Sequence, residues 1–358
     1  MSSLSAGRLL FEQIYDVIGL LISKTNVAQW IGPSHPSRQT VTEKSQEPNH
    51  GVTKNQYEAL MNEFLQSAGV KSKHEQKPSD CLETAIFARI EPVTPDKRLA
   101  KAATKVGALV ALYFYPAHGE KELFLIGLYT ACFLVVEDSG HLMIDDLARF
   151  RQRMMTGEKQ PELFELMKWL FVEFDQCFPT LCANKLFTGI LNAWSIFEVE
   201  YDQSPGTALI VASASPLFPK YFRNMTGSSE AYVYFLLTKQ EFSMSRTKKL
   251  LHAVPELLNV TDELNDLFSF YKESVVDIER AGDIERDNFV YQEACVKGIP
   301  VIDVLQSLAR QIHQRQAAVD HILKDDAQLK RLAREYMVGQ MKFYLISERY
   351  RLSELELV

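Results

Sequence analysis

The stretch NDLFSFYKE, residues 265–273, lies in a segment (247–276) with the apolar spacing of a helix. Asn265, Ser269 and Glu273 stand at i, i+4 and i+8, which places an amide, a hydroxyl and a carboxylate along one helical face. The intervening residues are apolar or aromatic, so the helix is predicted to be internal, where uncompensated polar groups are costly. Such oxygen donors are the ligands that Mg2+ prefers, while hydrogen-bonded polar core residues are the alternative interpretation.

The composition is that of a soluble globular protein. The chain has 358 residues, of which 46% are hydrophobic and 24% charged, enough material for a large core. A net charge of −7 without a dense run of Lys or Arg argues against nucleic-acid binding. The five cysteines are scattered and do not complete a zinc site, so we expect reduced core thiols in a cytoplasmic protein.

Two apolar segments bear on membranes and targeting. The run Leu123–Val136 is about fourteen residues long, short of the ~20 that span a bilayer. It predicts no membrane insertion but a buried helix, which carries Glu137 and Asp138 at its end. Met1–Ile22 is interrupted by charged residues in the manner of an amphipathic helix, and does not have the pattern of a signal peptide.

The organisation of the chain predicts one large all-helical domain. Residues 1–92 are interpreted as an N-terminal helix and polar loop segment packed on the core, and residues 93–358 as the helical domain. Polar breaks stand at 33–54 and 71–80, and the tandem repeat DIER at 277–286 is predicted to be a charged loop or frayed helix end. Strand-like alternation is scarce. The predicted helices are 96–115, 120–138, 142–156, 161–176, 181–202, 229–244, 247–276, 300–324 and 326–352.

Separated parts of the chain could share one chemistry with the 265–273 face. Taken together they supply carboxylates for Mg2+ and cations for a polyanion, a set that suits a diphosphate. Taken singly, each has a plainer explanation as a solvated helix end or a surface side chain. Nucleophile elbows, P-loops and glycine-rich phosphate loops are not found in the sequence. The residues concerned are Glu137, Asp138, Arg223, Lys272, Arg349 and Tyr350.

These segments resemble the class I terpene cyclases, specifically the fungal trichodiene synthase-like group. The resemblance covers about residues 93–352 and rests on VTPDKRL at 93–99, VEDS at 136–139, the 265–273 segment and RYRLSE at 349–354. The 265–273 segment fits the family pattern N-D-x-x-S-x-x-x-E completely. The resemblance implies a class I terpenoid synthase-like helical bundle around a central active-site cavity.

The resemblance also implies roles for the site residues. Asn265, Ser269 and Glu273 would bind one Mg2+, and the carboxylates Glu137 and Asp138 would bind the other two of three ions. The family's acidic motif usually opens with two aspartates, so glutamate in the first place is a departure, as is His141 where a later acid often stands. The implied diphosphate-binding residues are Arg223, Lys272, Arg349 and Tyr350.

The implied reaction is ionisation of farnesyl diphosphate and cyclisation of the carbocation by a sesquiterpene cyclase. The cation needs a dry pocket lined by aromatic faces. Phe133, Trp194, Phe197 and Phe268 are the candidate lining residues, and core packing is the plainer interpretation of any one of them.

Two other functions compete with cyclisation. A chain-elongating prenyl diphosphate synthase would carry a second D-D-x-x-D on the later helix, where this chain has the 265–273 pattern instead. A non-catalytic helical interaction protein is suggested by Glu137 and the missing downstream acid. The helical surface is compatible with a homodimer, and the product skeleton is not encoded in any of these motifs.

Overall fold

All regular structure in the described part of the chain is helical, with no strand, which confirms the predicted all-α class. The described helices belong to one compact unit that spans Ser37–Val358. The predicted helix at Met1–Ile22 and the repeat at 277–286 lie outside the described residues. The computed structural model describes residues 51–72, 77–201, 211, 213–275 and 288–358.

Thirteen α-helices follow one another within these ranges. A π-helical turn, Tyr271–Val275, continues the longest of them. Short 3-10 turns that matter below are Gly140–Leu142, Glu348–Tyr350 and Leu352–Glu354. The α-helices are α1 (Lys54–Ala68), α2 (Asp80–Ile90), α3 (Lys97–Phe114), α4 (Glu120–Ser139), α5 (Ile144–Thr156), α6 (Glu162–Cys177), α7 (Thr180–Glu200), α8 (Phe218–Thr226), α9 (Ser229–Tyr234), α10 (Met244–Phe270), α11 (Phe289–Lys297), α12 (Val301–Ile322) and α13 (Ala327–Ile346).

Helix α4 is the apolar centre of the bundle. Thirteen of its residues are buried, so no polar face remains along most of its length. Glu120–Leu142 is long and apolar enough to cross a membrane, yet 78% of its most apolar 18-residue stretch is buried inside the protein. A Cβ on Gly107 of α3 would lie 2.3 Å from the carbonyl oxygen of Gly127 in α4, so only glycine permits this backbone contact. The prediction of a buried core helix is confirmed.

Helix α1 packs against the segment that follows α10. It begins with a capping box between Thr53 and Gln56, which satisfies two backbone amides at its N-terminus. The hydroxyl of Tyr57 donates to the carbonyl oxygen of Leu267 at 2.8 Å, and its ring lies 5.8 Å from that of Tyr271. The N-terminal segment therefore contributes to the core from residue 54 onward, while a domain boundary at residue 92 stays a prediction.

Several predicted helix limits differ from the structure. The segment 229–244 forms a helix only over Ser229–Tyr234, because Ser243 accepts a hydrogen bond from the amide of Arg246 and starts a new helix there. The last predicted helix ends at Ile346 instead of 352, where Ser347 turns extended. Helices α1, α2, α8 and α11 were not predicted. The first two lie in the segment interpreted as an N-terminal helix and polar loop, while α8 and α11 have nine residues each, too few for a clear periodic signal.

Candidate active site

The acidic pair at the end of α4 is bound by an arginine from the far C-terminus. Arg349 Nη1 lies 2.9 Å from Asp138 Oδ2, and its Nη2 lies 3.0 Å from Asp138 Oδ1, a bidentate pair. The same Nη2 lies 3.2 Å from Glu137 Oε2. Arg349 stands in the 3-10 turn Glu348–Tyr350 and not on the predicted helix. The structure thus brings together residues more than two hundred positions apart in the chain.

The end of α4 is held in place by a tyrosine from α7. The hydroxyl of Tyr201 donates to the carbonyl oxygen of Glu137 at 2.7 Å and is 3.2 Å from that of Val136. The carbonyl of Val136 also accepts a hydrogen bond from the amide of Gly140, so the Tyr201 hydroxyl adds further hydrogen bonds at this helix end. A Cβ on Gly140 would lie 2.5 Å from the Tyr201 ring, so glycine is needed for this approach. His141 is exposed, with its ring 6.3 Å from Tyr201.

The three predicted ligands on the second motif are divided between two kinds of helix. Asn265 and Ser269 lie on α10, and Ser269 is almost fully buried. Glu273 lies in the π-helical turn Tyr271–Val275, where the wider helix changes the direction of the side chain relative to a continuous α-helix. Lys272 Nζ lies 3.4 Å from Glu273 Oε1. The predicted single α-helical face is therefore regular only as far as Ser269.

Arg223 on α8 is bound to the same segment of α10. Its Nε lies 2.6 Å from Asp266 Oδ1, and its Nη2 donates to Asn265 Oδ1 at 2.9 Å. Its Nη1 is 3.6 Å from Asp262 Oδ1. Lys220, one turn earlier on α8, reaches the other Asp262 oxygen at 3.4 Å. The predicted link between Arg223 and the 265–273 motif is thus a direct contact in the structure.

The electrostatics of this pair follow from burial. Loss of hydration alone would lower the pKa of the Arg223 guanidinium, but the charges of Asp266 and Asp262 outweigh that effect and raise it. The carboxyl of Asp266 has its pKa raised to about 6, because burial outweighs the opposing charge of Arg223. Asp266 Oδ2 is buried without a hydrogen-bond partner among the described residues. The carboxylate is therefore held at a cost that Arg223 offsets, with a further contribution from the charge of Lys220.

The acidic pair on α4 and the 265–273 segment influence each other electrostatically. Burial raises the pKa of the Glu137 carboxyl, and the charge of Arg349 opposes this rise. The charges of Asp138 and Glu273 raise the same pKa, and that of Lys272 lowers it. The Glu137 side chain nevertheless keeps 41% of its surface exposed, so it lies at the opening of the site and not in its interior. The charges of the π-helical turn are thus near enough to affect the carboxyl of Glu137.

Tyrosines form the wall between the two motifs. Lys272 Nζ lies 5.6 Å from the centre of the Tyr350 ring, a cation–π distance. Tyr350 packs edge-on against Tyr344 at 4.7 Å. The Tyr344 hydroxyl in turn accepts a hydrogen bond from Asn265 Nδ2 at 3.1 Å. This chain of contacts joins Lys272, Tyr350 and Asn265, three of the predicted site residues.

Several residues of the site were missed by the sequence analysis. Asp262 and Asp266 stand at i and i+4 on α10, a spacing that could have indicated a two-carboxylate receptor for Arg223. Tyr344 and Lys220 gave no local signal, because their partners are distant in the chain.

The candidate donors of the site are all oxygen atoms. Carboxylate, amide and hydroxyl oxygens are hard ligands of the kind Mg2+ takes. Within the described ranges, no group of three or more His, Cys, Asp or Glu side chains is arranged to hold a metal ion. The candidate donors instead contact cations of the protein: Arg349, Lys272 and Arg223. The residue types fit Mg2+, and metal binding would require them to exchange these partners.

The four aromatic residues predicted to line the pocket lie in three different packing environments. The ring of Phe133 lies 5.7 Å from that of Phe197. The ring of Phe268 is stacked on Tyr344 at 5.2 Å, next to Asn265. Trp194 is packed between two phenylalanines of α5 and α6 at 4.5 and 4.9 Å, and its indole Nε1 is buried without a partner among the described residues. Trp194 therefore fits core packing better than pocket lining.

Comparison with known proteins identifies relatives of this chain. The trichodiene synthase family model matches residues 68–356, which begins earlier than the motifs quoted from the sequence. An (E)-beta farnesene synthase of Metarhizium brunneum is 27% identical over 249 residues, covering 68% of this chain and 70% of that protein. Monoterpene synthase 25 of Postia placenta is 29% identical over 256 residues, covering 69% and 70%.

A solved structure shares the fold. A variant of cucumene synthase superposes with a TM-score of 0.51 at 13% identity, over 78% of this chain and 100% of that one. At that identity the likeness concerns the fold alone, and it agrees with the all-α bundle described above. The family match extends over most of the chain and includes both motifs of the site. The chain belongs to the trichodiene synthase family of class I terpene cyclases.

Proposed function

We propose that the protein is a sesquiterpene cyclase, a carbon–oxygen lyase that ionises farnesyl diphosphate and cyclises the carbocation. The observation that carries this proposal is the placement of Arg223, Lys272 and Arg349 on two oxygen-rich motifs that influence each other electrostatically. Three cations near one opening suit a diphosphate, which develops negative charge as its carbon–oxygen bond breaks. The family match supports the reaction class.

The arginines are proposed to act by exchanging partners. In this structure their charges are met by Asp138, Glu137, Asp266 and Asn265, so no unpaired cation is buried. A bound diphosphate would offer these guanidiniums a doubly charged acceptor with bidentate geometry. Arg349 would then help to draw the C-terminal turn over the substrate, while Tyr350 covers the opening. Closure of this kind excludes water from the reacting cation.

The metal requirement is proposed from the ligand types. Asn265, Ser269 and Glu273 would hold one Mg2+, and Glu137 with Asp138 would hold the other two of three. Bound Mg2+ supplies a Lewis acid that stabilises the charge on the leaving diphosphate. Glu137 is one methylene longer than aspartate, and its side chain lies at the opening with room to adjust.

The apolar interior is proposed to hold the prenyl chain. Phe268 and Tyr344 next to Asn265 present ring faces near the point where the allylic carbon would ionise. Phe133 and Phe197 would extend that wall along α4 and α7. The (E)-beta farnesene synthase among the relatives supports a fifteen-carbon substrate, and the monoterpene synthase makes geranyl diphosphate the competing one to test.

The protein is proposed to act in the cytoplasm, since its most membrane-like helix is buried in the bundle. A homodimer is compatible with this proposal. Neither property is needed for the chemistry proposed at the site.

The test is incubation with farnesyl, geranyl or geranylgeranyl diphosphate, with and without Mg2+, measuring diphosphate release and the volatile products. Mg2+-dependent fifteen-carbon products are expected, and Asn265→Ala should abolish them. Asn259→Ala is the matched control, because Asn259 lies on the same helix and its amide only donates to the carbonyl oxygen of Pro255 at 2.7 Å. If folded protein leaves all three substrates intact, the cyclase proposal fails and a non-catalytic interaction protein becomes the better hypothesis. Condensation with isopentenyl diphosphate would instead indicate a chain-elongating synthase.

A further inference from the structure

Gln340 on α13 is the unusual polar group in the interior of this protein. Its side chain is fully buried, and neither amide atom has a hydrogen-bond partner among the described residues. In that part of the chain it is the one residue with two buried side-chain polar atoms unpaired. Buried amides are normally hydrogen-bonded, because removal from water without compensation is costly. The position of Gln340 therefore calls for a binding partner other than the protein.

Two tyrosines on the same helix fix the depth of Gln340 along α10. Tyr336, four residues before it, has its hydroxyl 2.7 Å from Thr261 Oγ1. Tyr344, four residues after it, accepts from Asn265 Nδ2. Gln340 therefore lies at a level between Thr261 and Asn265. Four helical residues rise by about 6 Å, so it is about that much deeper in the bundle than Tyr344.

The direction of the side chain follows from the helical wheel. At about 100° per residue, Gln340 projects between Tyr336 and Tyr344, roughly 40° from each. Tyr336 and Phe343 both pack edge-on against the ring of Phe114, at 5.6 and 5.4 Å. Gln340 thus points to the closed region between the end of α3 and residues 261–265 of α10, where its side chain has no accessible surface in this structure. The rings of Phe114, Tyr336 and Tyr344 lie around this region together with the side chains of Thr261 and Asn265.

A prenyl chain bound as proposed would pass this amide. With its diphosphate held by Arg223, Lys272 and Arg349, the hydrocarbon would run into the bundle along Phe268 and Tyr344, the aromatic residues next to Asn265. Gln340 is then the neutral polar group that a later carbocation meets. A carboxylate at this place would itself trap the cation, whereas an amide can orient a small polar molecule without ionising.

We propose that Gln340 holds the water molecule that ends the reaction, so that the product is a sesquiterpene alcohol. This inference rests on the proposed function. The amide oxygen accepts a hydrogen bond from the water, which directs a lone pair at the cation. The water oxygen forms a carbon–oxygen bond and gives up one proton to a diphosphate oxygen. The balance is farnesyl diphosphate plus water to a cyclic alcohol plus diphosphate.

The first experiment uses the wild-type enzyme with farnesyl diphosphate and Mg2+ in water enriched in oxygen-18. The expected main product is an alcohol that carries the heavy oxygen. Diphosphate release with only unlabelled hydrocarbons overturns the role of Gln340 and leaves the proposed function standing. No diphosphate release overturns the proposed function, and this inference with it.

The second experiment replaces the amide by side chains that cannot bind water. In Gln340→Met and Gln340→Leu, the ratio of alcohol to hydrocarbon should fall by about tenfold, the effect of one lost hydrogen bond of ordinary strength. Met keeps the unbranched shape, so a change seen in both variants does not arise from altered packing alone. An unchanged ratio in either active variant overturns the proposal.

Gln160→Met is the matched control. Gln160 is also a buried glutamine, but its Nε2 donates to the carbonyl oxygen of Phe150 at 2.8 Å, between α5 and α6. Its loss should lower stability and leave the product ratio unchanged. A similar shift of the ratio in this variant would show that any buried glutamine alters the products, and would overturn the assignment to Gln340.

Discussion

The ion pair between Arg223 and Asp266 gives the sharpest test of the site, because it can be measured without substrate. Both side chains are largely buried, with 12% and 8% of their surfaces exposed, and Nε and Oδ1 are 2.6 Å apart. Removing one member of such a pair leaves a buried charge without compensation, which typically costs 3–5 kcal/mol. We therefore expect Arg223→Met to lower the free energy of unfolding by about 4 kcal/mol at pH 8.

The partner variant should be milder. In Asp266→Asn the guanidinium keeps Asn265 at 2.9 Å and Asp262 at 3.6 Å, so we expect a loss of about 1.5 kcal/mol. The double variant should lose about 3.5 kcal/mol, which corresponds to a coupling free energy of about 2 kcal/mol between the two residues. Additive losses, within about 0.5 kcal/mol, would refute the pairing that the structure shows.

The assay is urea unfolding followed by circular dichroism, at pH 8 and again at pH 6. The pKa of the Asp266 carboxyl is already raised to about 6 by burial, and loss of Arg223 should raise it further. The unpaired carboxyl can then take up a proton in the folded state, which relieves up to about 1.4 kcal/mol for each pH unit below that pKa. The deficit of Arg223→Met should therefore shrink on going from pH 8 to pH 6. A deficit independent of pH would mean that lost packing, and not charge, causes it.

Three further predictions concern Arg349 at the proposed diphosphate site, Tyr344 beside the proposed metal ligand Asn265, and the buried carboxyl of Glu263 on α10. Arg349→Lys keeps the charge but loses the bidentate fork, so kcat/KM should fall about 100-fold with little change in the unfolding midpoint. Tyr344→Phe removes the acceptor that orients the Asn265 amide, so the Mg2+ concentration for half-maximal activity should rise about fivefold, the equivalent of one hydrogen bond. Burial raises the pKa of the Glu263 carboxyl to about 7, against the opposing charge of Arg315. Between pH 4.5, about the pKa in the unfolded state, and pH 7, the folded state therefore binds more protons than the unfolded state. Stability consequently falls as the pH rises through this range. The free energy of unfolding of the wild type, minus that of Glu263→Gln, should therefore decrease by about 3 kcal/mol from pH 5 to pH 8 in denaturant titrations.

Each of these three has a control elsewhere in the chain. Arg351→Lys alters an arginine paired with Glu354 two residues from Arg349, and should leave kcat/KM within about twofold. Tyr221→Phe alters an exposed tyrosine and should not change the Mg2+ requirement. Glu120→Gln, at the exposed start of α4, should change the free energy of unfolding by less than about 0.5 kcal/mol. Equal effects in test and control variants would contradict the assigned contacts.

The motifs could be predicted from the sequence because each is short and local. Asn265 and Ser269 needed only helical spacing and an apolar surrounding to be placed on one buried face. The apolar run before Glu137 likewise determined a buried helix with acids at its end. The resemblance implied a role for Arg349, but its contact with Asp138 is a finding of the structure, since no local pattern connects the end of the chain to α4.

What the sequence could not predict depends on geometry between distant segments. The π-helical turn at Tyr271–Val275 keeps the same residue types as an α-helix, so spacing alone placed Glu273 on a regular face. Tyr344 and Gln340 have apolar or ordinary helical surroundings in sequence, and only the crossing of α13 with α10 gives them a meaning. Trp194 was predicted for the pocket from its spacing with Phe197, yet packing with α5 and α6 determines its environment.

The buried polar groups also help to decide between a catalyst and an interaction module. Replacing a buried ion pair by apolar residues of similar volume is often neutral or stabilising, so Arg223 with Asp266 is a poor source of stability. An interaction module would present its recognition residues on its surface and would be stabilised by an apolar interior. Two of the buried polar groups without a partner among the described residues, Asp266 Oδ2 on α10 and the amide of Gln340 on α13, lie beside the part of α10 that carries Asn265. Buried polar groups that lack a compensating partner are expected at ligand-binding sites, where the ligand can supply that partner. Their location therefore favours a buried substrate over a surface partner.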